Sequence, residues 1–89
     1  MSDTIEKLVK TIRSRKESDI KSSYTAFLLS KGNDCCLNKL KEEVAELEDA
    51  IKNKKNSIHE SADVIYHLLV TLDSSGVNFD DIIRELKKI

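Results

Sequence analysis

The stretch that decides the fold is residues 39–72, which begins KLKEEVAELEDA at residues 39–50 and ends HESADVIYHLLVTL at residues 59–72. Each half carries acids three or four positions apart, and side chains at that spacing lie on one face of an α-helix. These acids are Glu42, Glu43 and Glu46 in the first half, and Glu60 and Asp63 in the second. Two such helices packed antiparallel would bring the carboxylates together around hard divalent cations. The alternative is two acidic faces in contact with water.

Length and composition predict one helical domain covering residues 1–89. The chain has 89 residues, no proline and only two glycines, which favours helices joined by short loops. The fold class is therefore predicted as an all-α bundle of four to five helices. Because a chain this short buries a limited core, we expect dimerisation to complete the bundle.

Charge and cysteine usage exclude several classes of partner. The net charge is −1, so nothing indicates bulk electrostatic attraction to nucleic acid or to a membrane surface. No apolar run approaches the roughly 20 residues that span a bilayer, and no signal peptide is visible. Cys35 and Cys36 are adjacent and are interpreted as reduced thiols, which predicts a cytoplasmic protein.

Outside the central stretch, the sequence predicts three more helices. Apolar residues from Ile5 to Ile12 recur with helical spacing, and the polar run 13–21 is a frayed helix end or a loop. A short helix is expected from a serine cap at Ser22 or Ser23 to Gly32, with Tyr24, Phe27 and Leu28 facing inward. A last helix follows the capping residue Asn78.

The two central helices differ in their apolar pattern. The first has a bundle seam formed by Leu37, Leu40, Val44, Leu47 and Ile51. The second is apolar nearly all round, which predicts a helix buried on all sides. Its one polar strip contains Glu60, Asp63, His67 and Thr71.

Acids on the only polar strip of a buried helix are costly to desolvate unless they are paired or bind a metal. Glu60 has an alternative role, because Ser57-x-x-Glu60 matches a capping box. His67 has two interpretations: a hydrogen-bonded core histidine, or a second-shell group that holds Asp63 four residues away.

The spacing of the acids resembles a known family signature. Residues 42–46 (EEVAE), thirteen intervening residues and residues 60–63 (ESAD) resemble the E-E-x-x-E … E-x-x-D motif of the all-α nucleoside triphosphate pyrophosphohydrolases. Residues 23–32 (SYTAFLLSKG), Lys39 and residues 63–70 (DVIYHLLV) resemble the phosphoribosyl-ATP pyrophosphohydrolase family within that group. Lys41 departs from the glycine usual in the family at that position.

The resemblance implies a function and a metal site. It implies hydrolysis of phosphoribosyl-ATP to phosphoribosyl-AMP and pyrophosphate in histidine biosynthesis, with Mg²⁺, or Mn²⁺ as an alternative ion, in a homodimer or higher homo-oligomer. By motif position the implied metal ligands are Glu43, Glu46, Glu60 and Asp63. Glu42 is implied as an additional ligand or as a catalytic group that orients the attacking water.

The resemblance also implies which residues contact the small nucleotide substrate. They are Lys39 and the segment Ser23, Tyr24 and Thr25. Two alternative functions remain open. One is a house-cleaning pyrophosphohydrolase acting on free nucleoside triphosphates, and the other is a non-enzymatic helical dimerisation module with solvated acids.

Overall fold

The computed structural model describes residues 3–89, which form five α-helices and no strand. The helices are α1 (Asp3–Ser14), α2 (Tyr24–Lys31), α3 (Asn33–Asn53), α4 (Ser57–Ser74) and α5 (Phe79–Leu86). One 3₁₀ turn, Arg15–Glu17, follows α1 within the predicted polar run. The prediction of an all-α fold with four to five helices is confirmed. No helix among residues 3–89 is long and apolar enough to cross a membrane.

The two longest helices, α3 and α4, form an antiparallel hairpin. Residues 54–56 connect them, and Lys54 and Asn56 both have positive φ (54° and 64°), which reverses the chain in three residues. Residues further along α3 contact residues that come earlier in α4, as expected for antiparallel helices. Ser74 Oγ donates to Asn33 Oδ1 at 2.9 Å, and Thr71 Oγ1 donates to the Cys36 carbonyl at 3.2 Å.

The apolar core lies at the end of this hairpin remote from the connecting loop. Its buried residues come from four helices: Ile12, Leu28, Cys36, Leu69 and Val70. Phe79 of α5 packs against the same cluster. The core therefore holds the N-terminal half of α3 against the C-terminal half of α4, and it leaves the other half of the hairpin outside.

The local signals for α2 are partly confirmed. Ser23 is its N-cap, and its Oγ accepts the Ala26 N–H at 3.1 Å, as the serine pattern predicts. Gly32 ends the helix with a φ of +91°, a conformation in which an L side chain is strained. The prediction that Tyr24 and Phe27 face inward is wrong. Both are exposed, because this eight-residue helix buries Ala26 and Leu28 instead.

The predicted seam of α3 is only partly buried within one protomer. Leu37, Val44 and Ile51, spaced by seven, are exposed, whereas Leu40 and Leu47 are half-buried. The parallel stripe Cys36, Glu43 and Ala50, also spaced by seven, is the less exposed side of α3. Cys36 and Ala50 are small enough for two helices to approach closely, and this approach carries Glu43 into the interface.

The prediction that α4 is buried on all sides is wrong for the protomer as well. Ile58 is 90% exposed, and Ile65 and Leu68 are exposed too. The reason is that the other helices reach only part of the circumference of α4. An apolar surface formed by α3 and α4 residues therefore stays uncovered in the single chain.

Candidate active site

The half of the hairpin outside the core places the acids of both helices opposite one another. Glu43 and Glu46 lie one turn apart on α3, and Glu60 and Asp63 lie one turn apart on α4. Glu43, Glu46 and Glu60 each have a carboxylate oxygen that lies within 4.8 Å of one oxygen of the other two. Asp63 joins Glu60 in a second, overlapping group of the same size. The structure thus brings together four of the five acids that the sequence singled out.

Two carboxylate oxygens in this group are buried and have no hydrogen-bond partner. They are Oε2 of Glu43 and Oε2 of Glu60. The Glu43 side chain is only 17% exposed, because it lies on the α3 stripe that faces α4. A buried polar atom without a partner normally costs about 1–3 kcal/mol, and a cation bound between the acids could satisfy both oxygens.

The acids alter one another's protonation. Burial raises the pKa of the Glu43 carboxyl, and the nearby charges of Glu46, Asp63 and Glu60 raise it further. Burial also raises the pKa of Glu60, with Glu46 adding to the effect and His59 opposing it. Negative charge is therefore concentrated here beyond what the site's own residues neutralise, which favours binding of a divalent cation.

The capping-box interpretation of Glu60 is wrong. The N-cap of α4 is Asn56, so Ser57 is already the first helical residue. The Glu60 N–H donates to the Asn56 carbonyl at 3.0 Å, and no side chain caps the helix. The Glu60 carboxylate is consequently free to face Glu43 and Glu46.

His67 is buried beside this group. Its Nε2 lies 3.8 Å from Oε1 of Glu43 on the opposite helix. Burial lowers the pKa of His67, and this outweighs the opposing effect of the Asp63 charge. The imidazole is therefore neutral at neutral pH, and it lies close to Glu43 of the opposite helix as well as near Asp63.

The predicted substrate segment lies next to His67. The exposed ring of Tyr24 meets the His67 ring edge-on, with centroids 6.1 Å apart. The Thr25 hydroxyl forms a hydrogen bond with the Tyr66 hydroxyl, and Ser23 caps α2. Ser23 and Thr25 are thus engaged in contacts of their own, and Tyr24 lies beside His67.

Lys39 and Glu42 form a pair on the outer side of α3. Their Nζ and Oε2 atoms lie 3.4 Å apart, and both side chains are largely exposed. Glu42 raises the pKa of Lys39, which keeps this lysine cationic. Glu42 is the one candidate acid that the structure places outside the facing groups, although it is adjacent to Glu43 in the chain.

His59 is a site residue that the sequence reasoning missed. Its Nε2 lies 3.3 Å from Oδ2 of Asp63. The available signal was its spacing, because a side chain four residues before Asp63 lies on the same helix face.

A solvent-open cleft of about 310 Å³ adjoins the acids at the loop end of the hairpin. Glu46 and Glu60 line it together with Asp49, Ala50, Asn53, Lys55 and Asn56. The cleft gives the carboxylate group direct access to solvent and to a ligand.

The fold and the site define an all-α protein with a carboxylate-rich group, suited to divalent cations, between two antiparallel helices. Comparison with known protein families identifies the family within this class to which the chain belongs. A sequence model of the family described as phosphoribosyl-ATP pyrophosphohydrolase matches residues 5–89. The chain belongs to this family, as its motifs predicted.

Curated relatives cover nearly the whole chain. A protein of Bacillus cereus (strain B4264) is 42% identical over 90 residues, which cover 99% of this chain and 84% of the relative. A Dechloromonas aromatica protein is 43% identical over 88 residues, covering 97% and 82%. A Clostridium acetobutylicum protein is 42% identical over 89 residues, covering 98% and 81%. All three carry the name phosphoribosyl-ATP pyrophosphatase.

Proposed function

We propose that the chain catalyses Mg²⁺-dependent hydrolysis of phosphoribosyl-ATP to phosphoribosyl-AMP and pyrophosphate in histidine biosynthesis. The substrate is taken from the family and from the names of the relatives. The observation in the structure that supports this activity is the group of facing carboxylates with two buried, unpartnered oxygens.

The donor set fits Mg²⁺. Mg²⁺ prefers oxygen ligands and usually binds through a few carboxylates together with waters and substrate phosphates. Glu43, Glu46, Glu60 and Asp63 supply such oxygens from two helices, and Mn²⁺ is an alternative ion for the same ligands. When bound, the cation polarises the phosphoanhydride and offsets its negative charge.

The chain's own residues bind the nucleotide and position the attacking water. Lys39 is a partly exposed cation one turn from Glu43, and in this proposal its ammonium donates to a phosphate oxygen. The exposed Tyr24 ring contacts the nucleoside, held in place by Ser23 and Thr25 on either side.

Glu42 serves in the same proposal as the group that orients the water. Its carboxylate lies on the solvent side of α3 and is steadied by Lys39 at 3.4 Å. His67 holds Glu43 in position with a neutral imidazole.

A second copy of the chain covers the apolar surface of the hairpin in the working protein, which is a cytoplasmic homodimer in this proposal. Supporting this, Val44 and Ile51 of α3 and Ile65 and Leu68 of α4 are all exposed in the protomer. The two free cysteines are consistent with a reducing compartment.

Sedimentation of the wild type and of Leu68→Glu tests the dimer. A wild type that sediments as a monomer would contradict the dimer. So would a Leu68→Glu variant that sediments with the same mass as the wild-type assembly.

The test of function is pyrophosphate release from phosphoribosyl-ATP, with and without Mg²⁺, beside a panel of ordinary and deoxy nucleoside triphosphates. Metal-dependent turnover confined to phosphoribosyl-ATP is expected. Turnover of the panel instead would retain the metal site but assign the protein to nucleotide sanitation. No turnover by folded, metal-supplied protein would overturn the enzymatic proposal and favour the dimerisation module.

A further inference from the structure

The acids of the hairpin form two overlapping groups rather than one. The first contains Glu43, Glu46 and Glu60, and the second contains His59, Glu60 and Asp63. Within the second group, one candidate ligand atom from each residue lies within 4.8 Å of the other two. Glu60 is the residue common to both groups, and a carboxylate has two oxygens with which to serve two positions.

A separate observation indicates that Glu60 is a ligand residue. Its Oε2 is buried and has no hydrogen-bond partner, and Glu60 does not cap the N-terminus of α4. His59 and Asp63 lie beside Glu60 on the same turn; His59 is exposed, and Asp63 is partly exposed, as Glu60 is. A cation bound between the imidazole and the two carboxylates would be open to water on its outer side.

The chemistry of this second group differs from that of the first. Three oxygen donors suit hard cations such as Mg²⁺, whereas an imidazole nitrogen suits Zn²⁺ and other transition metals. One nitrogen and two carboxylates with a water in the remaining position also match the ligand number of an open zinc site. The first group therefore favours Mg²⁺, and the second has a donor that Mg²⁺ uses poorly.

We propose that His59 Nε2 is a metal ligand that, with Glu60 and Asp63, forms a second cation position selective for Zn²⁺ or Mn²⁺ over Mg²⁺. The proposal rests on the proposed function only in sharing Glu60 and Asp63 with the catalytic metal site. The competing explanation is a plain surface ion pair, because His59 and Asp63 are four residues apart and His59 is 72% exposed. That explanation predicts no effect of His59 on metal binding.

Titration calorimetry of the full chain without a histidine tag distinguishes the two explanations. It is run with Zn²⁺ and with Mg²⁺ at about pH 7.5, because imidazole binds metal in its neutral form. His59→Gln is expected to weaken Zn²⁺ binding about tenfold or more and to leave Mg²⁺ binding unchanged. Equal Zn²⁺ affinity in the variant and the wild type would overturn the proposal.

Lys52→Gln is the matched control. Lys52 forms an exposed i,i+4 ion pair with Glu48 at 3.3 Å, the same separation as in the His59–Asp63 pair, on the other helix of the hairpin. The Lys52→Gln substitution removes an ion pair of the same type outside the acid groups. Zn²⁺ binding by this variant is therefore expected to stay at the wild-type level. A comparable loss in both variants would show a general charge effect and would contradict the ligand role.

Pulsed electron paramagnetic resonance of the Mn²⁺-loaded protein reports the ligand directly. The chain has two histidines, so nitrogen modulation that is present in the wild type and lost in His59→Gln assigns the nitrogen to His59. Modulation that persists in the variant, or is absent from the wild type, would overturn the assignment. Phosphoribosyl-ATP turnover with Mg²⁺ is measured separately. Its absence would contradict the proposed function without affecting the nitrogen signal.

Discussion

Helix α4 carries a buried carboxylate oxygen without a hydrogen bond near each of its ends, and the two surroundings differ. Near the C-terminal end, Oδ2 of Asp73 lies 3.3 Å from the Lys16 ammonium. Near the N-terminal end, Oε2 of Glu60 faces Glu43 and Glu46, and no lysine or arginine forms an ion pair with these acids within residues 3–89.

Under the proposed function, the difference separates a structural carboxylate from a functional one. At Asp73 the chain supplies its own cation, and the pair connects the 3₁₀ turn to α4. At Glu60 the chain gathers acids without such a partner, and burial together with the neighbouring charges raises the pKa of Glu43 and of Glu60, so in this proposal the cation comes from solution. Neutralising an acid should therefore affect activity at one end of the helix and stability at the other.

The largest expected effect is on catalysis, from Glu43→Gln. The amide keeps the shape of the side chain but removes the charge that binds the cation, so pyrophosphate release should fall about 100-fold or more. Asp73→Asn is the matched control and should retain near wild-type turnover, because Asp73 lies outside both acid groups. Near-full activity of Glu43→Gln would show that the ligand assignment is wrong.

His67→Asn should have the next largest effect. The shorter side chain no longer reaches Glu43, whose Oε1 lies 3.8 Å from the imidazole, and loss of such a supporting group costs about 10–100-fold. Mg²⁺ affinity measured by calorimetry should fall together with turnover. Unchanged Mg²⁺ affinity in a folded variant would leave His67 as a core residue with no role in positioning.

Asp73→Asn should lower stability where Glu43→Gln does not. Removing the charge leaves Lys16 without its partner, and a pair with a half-exposed lysine and a largely buried aspartate is expected to contribute about 1 kcal/mol to the free energy of unfolding. Urea unfolding measures the change. A variant as stable as the wild type would mean that the Lys16 contact does not contribute to stability.

The smallest effect is on the pH dependence of stability without metal. The pKa of Glu60 is raised in the folded state. Above the ordinary glutamate pKa of about 4.3, the folded protein therefore binds a proton at Glu60 more tightly than the unfolded chain does. Stability contributed by this group is therefore present at low pH and lost as the pH rises through the raised value. Melting curves between about pH 5 and pH 7 should show a smaller decline for Glu60→Gln than for the wild type.

Addition of Mg²⁺ should counteract the same decline in the wild type, since a bound cation favours the ionised carboxylates. A Glu60→Gln variant with the wild-type pH dependence would indicate that other groups cause the decline.

Much of the fold and part of the site could be predicted from the sequence. The period of 3.6 residues identifies the helices, the serine cap and Gly32 place the ends of α2, and the spacing of the acids identifies both halves of the site. His59 was missed although its i,i+4 spacing to Asp63 is visible in the sequence, because that spacing is equally typical of an ordinary surface pair and only the 3.3 Å distance shows that the two side chains meet.

What the sequence determined by itself is which residues share a helix face, since covalent geometry and the helical period depend on nothing outside the helix. What only the tertiary structure decided is which face meets a neighbour. On α3 the most apolar stripe, with Val44 and Ile51, remains exposed, while the stripe that carries Glu43 faces α4. Small residues at Cys36 and Ala50 allow the close approach, and hydrophobicity alone does not encode that fit.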